Sequence, residues 1–71
     1  MSARQVTVSV NGESRNLHAG GTVSDLLQTA NLDPALVLVE LNETVLQRRE
    51  YPLTVLRAGD RIEFIRVVAG G

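Results

Sequence analysis

From Gln5 to Val10 the chain alternates polar and apolar, with Val6, Val8 and Val10 on one face and Gln5, Thr7 and Ser9 on the other. A period of two sends successive side chains to opposite faces, so this segment is predicted as a strand covered on one side by a core. Asn11-Gly12 follows at once and tolerates the positive φ angles of a type I′ turn, which returns Glu13 to Leu17 as the second strand of a hairpin. Gly20-Gly21 breaks the extended pattern. Thr22-Val23-Ser24-Asp25 then opens a helix, with Thr22 as N-cap and Asp25 near the positive end of the helix dipole. Val23, Leu26, Leu27 and Ala30 recur at helical spacing. A helix from Val23 to Ala30 is too short to persist alone in water, so it must lay this stripe on the sheet.

Asp33-Pro34 marks a turn, after which Leu36 to Leu41 is an apolar run interrupted only by Glu40, predicted as the third strand. Asn42-Glu43 makes a second tight turn into a short strand, Thr44 to Leu46. Gln47 to Tyr51 is polar and arginine-rich, and Pro52 cannot donate to a ladder, so this stretch reads as a loop with at most one helical turn. Ala58-Gly59-Asp60 is a turn, and Arg61 to Val68 forms the last strand. Ala69-Gly70-Gly71 follows with no side chain large enough to anchor it, and reads as a flexible tail. The order is α+β, with one helix packed across one mixed sheet of four to five strands in a single domain spanning 1–71. This is the β-grasp, or ubiquitin-like, pattern. In it the crossover through the helix is right-handed and the final strand lies parallel to the first, so the tail leaves from the middle of the sheet.

Composition narrows the chemistry. At 71 residues there is room for one core and none for a deep enclosed pocket, and 44% hydrophobic residues suffice to build that core. The absence of cysteine excludes a disulfide framework, a thiolate zinc site and a nucleophilic thiol. A net charge of −1 and a pI near 5.7 argue against nucleic acid or an anionic membrane as partner. Met1 to Gln5 lacks the apolar region of a secretory signal, and no apolar run approaches the roughly 20 residues that span a bilayer. A cytoplasmic protein, monomeric when free, is expected.

No side-chain constellation suggests turnover by the chain itself. His18 is the only histidine and has no spaced carboxylate pair, so no metal site is expected. Asp25, Asp33 and Asp60 are each accounted for by a cap or a turn. The remaining candidate is the C-terminal carboxylate of Gly71. A carboxylate is a poor electrophile until it is activated, for example by adenylation, and an activating enzyme must draw it to an α-phosphate inside its own nucleotide site. Gly70-Gly71 supplies a thin strip of backbone suited to that reach. An acyl-adenylate there is open to a sulfur donor, which leaves a thiocarboxylate on Gly71.

Val10-Asn11-Gly12-Glu13, Thr22-Val23-Ser24-Asp25-Leu26-Leu27, Val39-Glu40-Leu41-Asn42, and Gly59-Asp60-Arg61-Ile62-Glu63-Phe64 ahead of the terminal glycines together carry a resemblance. In these blocks the chain resembles the ThiS family of sulfur carriers of thiamine biosynthesis. The resemblance spans nearly the whole chain, and its specificity lies in the order and spacing of the blocks. It implies adenylation of Gly71 by a ubiquitin-activating-type enzyme using ATP and Mg, with no cofactor bound by the chain itself. It also implies sulfur from a donor protein and delivery to thiazole synthase. Two departures stand out: Ala69 occupies a position where a third glycine is frequent, and Tyr51-Pro52 replaces what is often tryptophan and a small residue, a change expected to touch only a loop.

Three other functions fit the same pattern. The small thiocarboxylated subunit of molybdopterin synthase shares fold and diglycine; a protein modifier would join Gly71 to lysines of targets; a passive ubiquitin-like module would leave Gly70-Gly71 incidental. All seven basic residues are arginine, so a modifier could not build chains on its own side chains. On the last strand, Ile62 and Phe64 share one face and Ile65 and Val67 the other. With the helix over the first pair, Ile65 and Val67 form an apolar docking patch beside the tail, unless a bulge or the 47–52 loop covers them. Arg48 and Arg49, with Arg57, Arg61 and Arg66, read as a solvated charged face.

Overall fold

The computed structural model describes residues 4–67. Five strands form one mixed sheet in the order β2-β1-β5-β3-β4: β1 is Gln5–Val10, β2 Glu13–His18, β3 Val37–Leu41, β4 Thr44–Val45 and β5 Arg61–Arg66. The one helix, Val23–Thr29, crosses one face. β5 pairs parallel with β1 and antiparallel with β3, so the last strand sits at the centre, as the sequence pattern requires.

The local devices are those the sequence advertises. Asn11 and Gly12 take φ of 50° and 85°, the left-handed pair of a type I′ turn, and Asn42 and Glu43 take 50° and 71° at the second hairpin. At the helix start Thr22 Oγ1 accepts from the Asp25 amide at 3.2 Å, while Asp25 Oδ2 accepts from the Thr22 amide at 2.9 Å. This reciprocal box satisfies two otherwise orphaned donors. At the other end Ala30 is the C-cap and Asn31 turns left-handed at φ 57°. The Leu32 amide closes on the Leu27 carbonyl at 2.9 Å, a Schellman stop that fixes the helix length.

The core lies between helix and sheet. Val8, Val10, Val37, Val39 and Ile62 from the strands meet Val23, Leu26 and Leu27 from the helix, all buried. Tyr51 and Leu56 complete it, which corrects the expectation that Tyr51-Pro52 touches only a loop. Tyr51 is 1% exposed, and its hydroxyl accepts from the Val39 amide at 3.2 Å and donates to the Val37 carbonyl at 3.0 Å. Both groups face the edge of β3 beyond the end of the two-residue β4, so the phenol replaces the strand that is missing there.

Several boundaries also move. Leu36 does not begin β3; it ends a 3-10 turn, Pro34–Leu36, whose N-cap Asp33 accepts from the Ala35 amide at 2.9 Å. β2 runs one residue further, to His18, the helix ends at Thr29, β4 stops before Leu46, and β5 ends at Arg66. Arg48 is not merely part of a solvated face. Its guanidinium donates to the Pro34 and Ala35 carbonyls at 3.0 and 3.1 Å and ties the 3-10 turn to the Gln47–Tyr51 segment.

Candidate functional site

Backbone geometry decides what surrounds the exit of the tail. Ala69, Gly70 and Gly71 lie outside the described residues, as does Val68, so the site can be built up only to Val67. β1 offers β5 just two paired positions, Ser9 with Arg61 and Val10 with Ile62. Beyond them the Asn11 side chain takes over: its Oδ1 accepts from the Phe64 amide at 2.9 Å, while the Asn11 amide donates to the Ile62 carbonyl at 2.9 Å. On the other side β3 pairs with β5 from Ile62 to Arg66, and the Val67 amide donates to the Leu36 carbonyl at 3.0 Å. The strand that leads to Gly71 is therefore held from both sides as far as Phe64, and from the β3 side alone from there to Val67.

Strand register also sorts the side chains of β5. Ile62 is buried and Phe64 half-buried under the helix. Ile65 and Val67, on the opposite face, are 41% and 40% exposed, so neither a bulge nor the 47–52 loop covers them. Leu38 stands directly across from Ile65, and Val45, 57% exposed, is opposite Glu40 on that same face. The open face thus carries a larger apolar strip than Ile65 and Val67 alone. Leu38 was hidden in the sequence because Val37-Leu38-Val39 is continuously apolar, and only register assigns its middle member to the open side.

The polar part of this face is uneven. Glu40 on β3 and Glu63 on β5 are direct register partners. Among the described residues the one ion pair is Arg61 with Glu43 at 3.9 Å, both side chains well exposed, so neither Glu40 nor Glu63 is neutralised by it. Beside the exit, a shallow groove runs between Asn31 to Asp33 and the side formed by Leu36, Val37, Arg66 and Val67. His18 is exposed at the far edge of the sheet, and among the described residues no three potential metal-ligating side chains come together. What the arrangement offers is a sheet face with an apolar strip that reaches the root of the C-terminal segment at Val67, and two carboxylates four residues further back along β5.

Comparison with known proteins agrees with this geometry. Residues 8–71, through the terminal glycine, match the model of the ThiS family. Over 64 residues the chain is 38% identical to a thiazole synthase of Magnetococcus marinus, a match that covers 90% of this chain and 20% of that protein. Over 62 residues it is 34% identical to a thiazole synthase of Paramagnetospirillum magneticum, covering 87% of this chain and 19% of that one. The chain thus spans about a fifth of the length of these curated relatives. The crystal structure of the thiamine biosynthesis protein ThiS from Geobacter metallireducens superposes with a TM-score of 0.75 at 31% identity, covering 93% of this chain and all of that one. With a β-grasp sheet whose central strand leads to a diglycine, and a family match that runs through that diglycine, the chain belongs to the ThiS family.

Proposed function

We propose that this protein carries sulfur as a thiocarboxylate on Gly71 for thiazole formation in thiamine biosynthesis. The observation that carries the reading is the ThiS match through Gly71, on a chain whose central strand ends five residues earlier, at Arg66. In the first step a carboxylate oxygen of Gly71 attacks the α-phosphorus of ATP, held with Mg by a ubiquitin-activating-type enzyme, and pyrophosphate leaves. In the second, the terminal sulfur of a persulfide on a donor protein attacks the acyl carbon of the adenylate and AMP leaves; a thiol then cleaves the S–S bond of the acyl disulfide, leaving the thiocarboxylate on Gly71 and the donor sulfur in a disulfide with that thiol. The thiocarboxylate then gives its sulfur to the thiazole-forming enzyme. Relatives named thiazole synthase that contain a segment similar to this chain support that enzyme as the acceptor. The chain acts as carrier and co-substrate; its partners supply the catalytic groups.

Intact-protein mass tests the reading. Incubation with ATP, the adenylating enzyme and a sulfur donor is expected to exchange one C-terminal oxygen for sulfur. An unchanged mass, with an enzyme shown to be competent on another carrier, overturns it.

The open face is the docking surface for the activating enzyme in this scheme, with Ile65 and Val67 nearest the tail. Replacing Ile65 with serine removes apolar contact area from a side chain that is 41% exposed, so folding should lose no more than about 1 kcal/mol. Adenylation at limiting carrier should fall by about tenfold, through KM. Normal activation of a folded Ile65→Ser protein would remove this face from the scheme.

A further inference from the structure

Asn11 turns the main chain out of β1 and into the hairpin at φ 50°, yet two of its groups remain on β5. Its amide donates to the Ile62 carbonyl and its side-chain Oδ1 accepts from the Phe64 amide, each at 2.9 Å. A residue continuing a parallel ladder would bridge the same two groups with its own N–H and C=O. The side-chain carbonyl of Asn11 therefore sits where a main-chain carbonyl would be had β1 run on. Asparagine suits both duties, because it tolerates the left-handed turn and ends in a short acceptor.

Asn42 clasps the other end of β5 in a similar way. Its φ is also 50°, its amide donates to the Arg61 carbonyl at 2.8 Å, and its Oδ1 accepts from the Arg61 amide at 2.9 Å. The two clasps differ in their distance from the tail: Arg61 is ten residues before Gly71, and Phe64 seven. Among the described residues Phe64 is the last to be held from the β1 side, and Ile65 to Val67 are held by β3 alone. Without the Asn11 side chain the last bond on that side is the one to the Ile62 carbonyl, so the one-sided stretch would lengthen from 65–67 to 63–67.

We propose that Asn11 is a positioning residue for sulfur loading, whose side chain fixes the line along which β5 delivers Gly71 to the adenylating enzyme. The proposal rests on the carrier reading above and adds a residue to its mechanism. β5 leads straight into the tail, so slack at Phe64 is passed to every residue after it. In-line attack on phosphorus tolerates little misplacement. A carrier with that slack docks as before but presents its carboxylate correctly for a smaller fraction of the time.

Three variants test this. Asn11→Gly keeps the left-handed turn and deletes the acceptor, Asn11→Asp keeps both, and Asn42→Gly makes the same deletion at the far end of β5. Melting temperature, hydrogen exchange of the Phe64 amide, and the KM and kcat of adenylation are measured for each and for the parent chain. Both glycine variants should fold and melt about 5 °C lower, through loss of one hydrogen bond. The Phe64 amide should exchange about tenfold faster in Asn11→Gly. In that variant kcat should fall about fivefold to tenfold while KM stays within about twofold, and Asn11→Asp should restore kcat. Asn42→Gly should keep the parent's kcat, whereas a purely structural role would make the two glycine variants alike.

An unchanged kcat in Asn11→Gly, equal kcat losses in both glycine variants, or failure of Asn11→Asp to restore kcat overturns the proposal and leaves the carrier reading intact. Backbone order parameters of the parent chain give a check that needs no variant. Phe64 should be as ordered as Ile62, and a lower value at Phe64 overturns the proposal. A parent chain never adenylated by an enzyme competent on another carrier overturns the carrier reading as well.

Discussion

Deletion of Gly71 is expected to abolish adenylation and sulfur loading while leaving the melting temperature where it was. The chemistry should be lost because the carboxylate then stands on Gly70, one residue short. That displacement of roughly 3.5 Å exceeds the tolerance of an in-line attack on phosphorus. Stability is retained because the buried core runs from Val8 to Ile62, and the last backbone contact of the described chain is made by Val67. Intact mass after incubation with ATP, enzyme and donor reads the first effect, and calorimetry the second. A marked fall in melting temperature would assign a structural role to the tail, and persistent sulfur loading would move the carrying group elsewhere.

Replacement of Tyr51 produces the largest expected effect on folding. Tyr51→Ala removes the largest of the fully buried side chains and should cost about 3–5 kcal/mol. A chain of this length has only about 4–10 kcal/mol in total, so the variant should be largely unfolded or close to it at 37 °C. Tyr51→Phe keeps the ring and deletes the hydroxyl, leaving the Val39 amide and the Val37 carbonyl without their partner at the edge of β3. That should cost about 1–3 kcal/mol. Denaturant titration of the two variants separates packing from hydrogen bonding: equal losses would mean that the hydroxyl carries the whole effect, and no loss in the phenylalanine variant would mean that it carries none.

The Tyr51 case shows where reading the sequence stops. A tyrosine after Arg48-Arg49-Glu50 and before Pro52 has no periodic partners, so nothing local distinguishes a core residue from a loop residue. Its burial is dictated by the shortness of β4, which leaves β3 with bare edge groups that a nearby side chain must satisfy. Arg48 is a similar case. Its two carbonyl partners, on Pro34 and Ala35, are fourteen and thirteen residues away and meet it only after the chain has turned back. By contrast, the two asparagine turns and the Thr22-Asp25 box were legible because each depends on φ preference or on hydrogen bonds within three residues.

The open face of the sheet was half legible. Alternation along β5 separates Ile62 and Phe64 from Ile65 and Val67, but it cannot say that no loop covers the second pair. It also cannot add Leu38 and Val45, which belong to other strands. Opposition of Glu40 and Glu63 is a matter of register between segments more than twenty residues apart. No pattern within either strand contains it.

The sequence by itself determined the hairpin, the capped helix, the central placement of the last strand and the diglycine beyond it. Each follows from periodicity, turn chemistry or the limited ways of closing a sheet with one helix. Tertiary structure alone decided that Tyr51 and Leu56 complete the core, that Asn11 and Leu36 hold β5 up to the root of the tail, and that the open face gathers an apolar strip around two opposed carboxylates. The physical reason is the same throughout: backbone preference acts over a few residues, whereas burial and register depend on which distant segments fill the space beside one another.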